Sequence, residues 1–341
     1  MSFISKQPQL EDYWRSIVLF GRNVACYKFA LAKSLLDLKP ASGELVELGD
    51  LGPVYAKHIA DHLKIADKQG TSSSSQFLDA CRKFNSGELG ENELMESTVR
   101  YGFNNVIDAF HVVGQSDVPA RFYIDERKEY GGIRITEEFS ELLTRYQAAN
   151  LPNEIEARWN LVERAWELGV SANLLSVGHD AGTESFYTLG TANRRKSVTS
   201  SRDALNGYQK GKCFYCFSDI ELDSSSDLYP DVDHFFPHVL KDYGFGDSID
   251  GVWNLVLSCQ GCNRGIGGKF DQIPHIRLLD RLHNRNSFLI SSHHPLRETL
   301  IQQTGNSETL RETFLNRFHT KAWSLRASTL WEPTEKDAPY F

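Results

Sequence analysis

Two Cys-x-x-Cys pairs constrain this chain more than any other feature. Cys213-Phe-Tyr-Cys216 and Cys259-Gln-Gly-Cys262 are separated by 42 residues. Two residues between cysteines let one tight turn aim both sulfurs at one ion, and zinc takes four thiolates in a tetrahedron. The pairing predicts one structural Zn²⁺ held by Cys213, Cys216, Cys259 and Cys262, closing the intervening residues into a loop. A four-thiolate site has no open position, so this zinc is expected to scaffold rather than catalyse. The alternative, four unrelated thiols, leaves the pairing to chance. Cys26 and Cys81 lie in apolar helical stretches and are expected as plain buried thiols.

Charge narrows the partners. The net charge of -8 argues against a protein that coats nucleic acid by bulk electrostatics. Residues 1–190 hold 19 Lys and Arg against 27 Asp and Glu, whereas residues 191–341 hold 18 of each. Between 194 and 212, Arg194, Arg195, Lys196, Arg202, Lys210 and Lys212 face only Asp203. Such a run is either a solvated helix face or a place for a phosphate backbone to dock. No run approaches the roughly 18 apolar residues of a membrane span. The first residues lack a basic stretch followed by an apolar one. The expected location is the cytoplasm, where disulfides are rare.

The expected fold class is α+β. Apolar spacing near three and four predicts helices over 9–38, 53–68 (opened by Pro53), 76–85 and 90–111. RFYID (121–125) and IRIT (133–136) flank Gly131-Gly132 and predict a β-hairpin, followed by helices over 137–149 and 152–168. The pattern weakens from 170 to 198, which places a boundary near 190. Further helices are expected over 199–210, 275–290, 296–304 and 307–327. The expected domains are a mostly helical recognition or docking domain (1–190), a domain carrying the cysteine pairs (191–290) and a C-terminal helical segment (291–341). His58 and His62 stand four apart on one helix, but no third ligand is evident. They are expected as surface histidines.

Chemistry concentrates between the cysteine pairs. The stretch Asp231-Val-Asp233-His234-Phe-Phe-Pro237-His238 precedes Trp253-Asn254-Leu255-Val256-Leu257, which runs into the second pair and Asn263-Arg264. Histidine titrates near neutrality, so His234 is suited to take a proton from water. Asp233 and Asn263 offer the oxygens that a hard cation prefers. If 231–234 is a strand, Asp233 and His234 point to opposite faces. Singly, each residue reads as well as part of a surface turn. Asn254 either caps a strand or orients a neighbour, and both fit. Arg264 and Lys269 are candidate phosphate contacts, with Lys212, Arg194 and Arg195. The glycines between Arg264 and Lys269 either bring the backbone close to phosphate or make a loop. His238 has a structural reading and one beside a metal. His275, His283, His293 and His294 are read as structural.

In this order the Asp-His-x-x-Pro, Asn-Leu-x-x-x-Cys and Cys-Asn-Arg elements resemble the HNH, or ββα-metal, endonucleases over about residues 200–290. The resemblance implies a ββα-metal domain and hydrolysis of DNA phosphodiester bonds to 5′-phosphate and 3′-hydroxyl ends. It also implies His234 as general base, Mg²⁺ or Mn²⁺ on Asp233 and Asn263, and Asn254 ordering the His234 loop. The chain departs from the family's spacing, in which a lysine stands about three residues after the final Asn; here Lys269 stands six after Asn263. At family level the resemblance points to a restriction or anti-phage effector, with a repair, recombination or mobile-element role left open; the acidic first half suggests that the nuclease is directed by a protein partner, a modified base or an invading nucleic acid. One such site cuts one strand, so double-strand cleavage needs a homodimer, a partner or two events. A zinc-ribbon module that binds nucleic acid or protein without cutting is the competing expectation. It shares the cysteines but gives no reason for Asp233, His234 and Asn263.

Overall fold

The structure, a computed structural model, describes residues 9–20, 25–71, 74–113, 116–168, 177–180, 182–189, 195–292, 294–326, 330–334 and 337–339. The chain divides into two compact units, Gln7–Leu174 and a second beginning at Leu175. The boundary therefore lies at 174/175 rather than near 190. The reason is a sheet that the weak pattern of 170–198 conceals, described below. Residues 291–341 belong to the second unit and form no separate segment. Helices dominate and the sheets are small, in keeping with an α+β fold.

In the first unit, α1 (Leu10–Phe20) and α2 (Tyr27–Leu38) occupy the single helical stretch expected over 9–38. β1 (Leu45–Glu47) leads into α3 (Leu48–Ile65), in which Pro53 lies beyond the first turn instead of opening the helix. α4 (Gln76–Asn85) matches its expected bounds, and Ser75 caps it by accepting from the Leu78 amide. The stretch 90–111 breaks into α5 (Glu91–Ser97), one π turn over Thr98–Gly102 and α6 (Val106–Ala109). The short strands β2 (Val112–Val113) and β3 (Ser116–Asp117) pair antiparallel.

β4 (Tyr123–Glu126), the single turn α7 (Arg127–Tyr130) and β5 (Gly132–Ile135) form the expected hairpin, and β1 adds to it in the order β1-β5-β4. Gly132 makes that addition feasible, because a Cβ there would stand 2.3 Å from the Val46 carbonyl. α8 (Glu137–Thr144) and α9 (Leu151–Leu168) complete the unit. Its core is aromatic: Trp14 meets Phe110, Phe122 and Phe139 at ring separations of 4.9–5.6 Å. Cys26 and Cys81 are buried here, and burial pushes both thiols up, Cys81 to about 12. His62 is not a surface histidine. It is buried, stacks 3.5 Å from the Trp159 ring and bonds Glu163 at 2.6 Å. Burial alone would lower its pKa, but Glu156 and Glu163 outweigh burial and raise it.

The second unit opens with an antiparallel sheet of β6 (Val177–Asp180), β7 (Ser185–Leu189) and β8 (Arg195–Ser200), which no expectation covered. α10 (Ser201–Gln209) leads to the first cysteine pair. β9 (Asp231–His234) and β10 (Leu255–Ser258) form a two-stranded antiparallel ribbon, with His234 opposite Leu255 and Asp233 opposite Val256. The short helix α11 (Gln260–Arg264) follows, then α12 (Ile276–Ser291), α13 (Arg297–Thr304) and α14 (Glu308–Arg326). The Gln209 amide serves β10 by both its groups. Its oxygen accepts from the Leu257 N–H at 2.8 Å, and its nitrogen donates to the Leu257 carbonyl at 2.7 Å. Among the described residues, no helix is long and apolar enough to cross a membrane.

Candidate metal centre and histidine–carboxylate cluster

The four paired cysteines converge. Their sulfurs lie within 4.8 Å of one another, and Cys216 Sγ stands 3.7 Å from Cys259 Sγ. Zinc–sulfur bonds of about 2.3 Å in a tetrahedron place sulfurs about 3.8 Å apart, so the set fits zinc. Turns support the sulfurs: the Cys259 N–H donates to Cys213 Sγ at 3.3 Å, and the Phe214 N–H donates to the Leu257 carbonyl at 2.9 Å. The first pair is thereby fastened to the strand that carries the second. Arg281 of α12 clamps the same turn, donating to the carbonyls of Phe214 and Tyr215 at 2.6 and 2.8 Å.

One face of β9 carries Asp231 and Asp233. Asp233 is buried; Tyr215 Oη donates to its Oδ2 at 2.6 Å, and Lys269 Nζ lies 3.2 Å from its Oδ1. Burial pushes this carboxyl up despite Lys269. Tyr215 sits between the two cysteines of the first pair, so the cysteine turn itself reaches the carboxylate. Asn263 does not meet Asp233: its Nδ2 donates to Asp231 Oδ2 at 3.0 Å. Arg264 also turns to Asp231, with Nε 3.0 Å from Oδ2. The donor set of two carboxylates and an amide suits a hard cation. Each carboxylate, however, already faces a protein cation.

The opposite face of β9 presents His234, as strand alternation requires. Three further groups surround it: Asp250, whose Oδ1 lies 3.4 Å from His234 Nε2; His238, whose Nε2 lies 3.2 Å from the same oxygen; and His179 of β6, whose ring centre is 6.1 Å from that of His234. Lys241 donates to the second oxygen, Oδ2, at 2.8 Å. Burial lowers His234 to about 4, outweighing Asp250, so the ring is neutral near pH 7. Burial also lowers His179.

Asn254 is fully buried and ties this cluster together. Its Oδ1 accepts from the Phe236 N–H at 2.8 Å, and its Nδ2 donates to the carbonyls of Phe236 at 3.0 Å and Ile249 at 2.9 Å. One side chain thus fastens the loop after His234 to the turn that ends at Asp250.

The expected phosphate contacts fare unevenly. Lys269 is buried against Asp233, with Nζ also donating to the His234 carbonyl at 2.9 Å, and so faces inward. Lys212 pairs with Asp219 at 2.8 Å. Arg264 keeps 60% of its side chain exposed. Arg194 and the side chain of Arg195 lie outside the described residues. The glycines after Arg264 fold on themselves: a Cβ at Gly268 would meet the Gly265 carbonyl at 2.8 Å, which favours the loop reading. Reasoning from the sequence missed Tyr215, Asp231, Asp250 and His179. Only Tyr215 and Asp231 carried a local signal, lying inside or beside the motifs. No family model matches the chain, and no curated protein or solved structure does either.

Proposed function

We propose that the second unit is a zinc-stapled endonuclease of the HNH type that hydrolyses DNA phosphodiester bonds. The observation that carries this reading is the setting of His234. A neutral imidazole ends a strand whose partner strand runs straight into the second cysteine pair, and its loop is clamped by a buried Asn254. A general base needs that combination of a free proton site and a fixed position. His234 takes the proton of the attacking water, and Arg264 steadies a phosphate oxygen. A divalent cation, Mg²⁺ or Mn²⁺, on Asp233 and Asn263 beside Asp231 would supply the Lewis-acid charge that such hydrolysis needs. Products carry 5′-phosphate and 3′-hydroxyl ends. The acidic first half receives a protein partner, and the biological setting is restriction or anti-phage defence.

One observation favours a second reading, a zinc-stapled module that binds without cutting. Lys269 and Arg264 already neutralise the carboxylates that a catalytic cation would need. A plasmid-nicking assay separates the two. Zinc-loaded protein is incubated with Mg²⁺ or Mn²⁺, with EDTA, and as His234→Ala. The nuclease reading expects cation-dependent nicking that falls by about 10² to 10⁴ in the variant. Nicking that survives in His234→Ala overturns the assignment of the base. DNA binding without nicking in any cation favours the module.

A further inference from the structure

Resting on the reading of His234 as base, we propose that Asp250 is its positioning residue. Asp250 holds the imidazole in the tautomer with hydrogen on Nε2, so that Nδ1 is the atom that takes the proton from water. The two ring nitrogens stand in different surroundings. Nε2 is shut from solvent and has no hydrogen-bond partner at ordinary distance. Asp250 Oδ1 lies 3.4 Å from it. The ring nevertheless keeps 16% of its side-chain surface exposed. Nδ1 makes no hydrogen bond among the described residues and, unlike Nε2, is not among the buried unpartnered atoms, which leaves it as the nitrogen open to water.

A neutral imidazole has one N–H and one lone pair. Placing the lone pair on Nε2 would aim it at the Asp250 carboxylate 3.4 Å away, and the negative end of the ring's dipole would face a negative charge. Placing the hydrogen there turns repulsion into attraction and frees the Nδ1 lone pair. When water's proton reaches Nδ1, its oxygen forms the new bond to phosphorus as the bond to the 3′ oxygen breaks, and the departing 3′ oxygen takes up a proton from solvent water. The imidazolium then faces Asp250, which steadies the charge. The resting distance is long for a hydrogen bond, as catalytic contacts often are before substrate binds.

Asp250 is itself held for the task. Lys241 occupies its Oδ2 at 2.8 Å, which turns Oδ1 toward the histidines. Asn254 Nδ2 bonds Phe236 and Ile249 carbonyls together, which fixes the spacing of the His234 loop and the Asp250 turn. His238 shares Oδ1 at 3.2 Å but is 59% exposed, so it competes for the carboxylate without closing the pocket.

The test reads the tautomer directly, in zinc-loaded full-length protein labelled with ¹⁵N-histidine and free of DNA. Two-bond ¹H–¹⁵N correlation spectra distinguish the two neutral forms, and the His234 signals are assigned by their loss in His234→Gln. The expected result is the Nε2–H form in wild type and in His238→Ala, and a mixture of both forms in Asp250→Ala. Asp250→Asn, nearly equal in shape, repeats the measurement if the alanine variant loses its fold. In the nicking assay both Asp250 variants should lower kcat about 10- to 100-fold, with KM within about twofold. An Nδ1–H form in wild type, or an unchanged tautomer in both Asp250 variants, overturns the proposal. The spectra decide this even if no nicking is found, so failure of the nuclease reading and failure of the Asp250 assignment are told apart.

Discussion

At the scale of single residues, buried polar groups carry sharp consequences. Asn254 makes three side-chain hydrogen bonds in a fully buried position. Asn254→Ala leaves two carbonyls and one N–H without partners and should cost about 3 kcal/mol, read as a lower denaturant midpoint. His111 gives a pH signature in the other unit. It is buried, accepts from the Phe122 N–H at 3.0 Å, and burial lowers it to about 4, with Arg121 adding to the effect. Its folded pKa is depressed below the unfolded value near 6.5. The unfolded chain therefore binds the extra proton between those values, and stability falls as pH drops from about 6.5 to 4. The loss should be on the order of 3 kcal/mol for this group, and His111→Gln, which keeps an acceptor, should flatten that part of the profile. The cysteines, His234 and Asn254 were legible because their spacing carries the signal. Asp250 was not: in Gly246-Asp-Ser-Ile-Asp-Gly251 it reads as one more loop carboxylate, and only the folded turn brings it to His234.

At the scale of elements, legibility followed periodicity. α4 is amphipathic, with an N-cap serine, and its bounds were readable in full. β6, β7 and β8 were missed because glycine, serine and threonine dilute their alternation, and because cross-strand neighbours rather than local propensity settle such strands. β1 was missed for a similar reason: three residues acquire strand geometry only by pairing with β5. Gly132→Ala should break that pairing, since the new methyl would enter the Val46 carbonyl. A drop of several degrees in the midpoint of thermal unfolding is expected. α11 is five residues long, too short to persist unaided, and starts immediately after Cys259. A zinc on the four cysteines would supply its order. Cys259→Ser should therefore release bound zinc, measurable by metal analysis, and with it the Asn263–Asp231 contact.

At the scale of the molecule, a zinc on the four cysteines would bear on one of the two units only. The paired cysteines all lie in the unit that begins at Leu175, and among the described residues no other group of three or more His, Cys, Asp or Glu converges as a metal site would. A strong zinc chelator should speed amide hydrogen exchange across β9, β10 and α11 while leaving α2, α3 and α9 protected. Equal acceleration in both sets would contradict a zinc confined to one unit. The wide spacing of the cysteine pairs has a further consequence, in time rather than in space. During synthesis at about 5–20 residues per second, the first pair waits seconds for the second. Joining pairs 42 residues apart costs about 3 kcal/mol of chain entropy, which metal binding must offset. Asp231 to His234 are synthesised before Asn254 and β10, so the ribbon and Asn254's clamp can form only after them. Zinc taken up by the four cysteines would therefore act as a clock on the nascent chain, setting when the ribbon beside His234 is fastened.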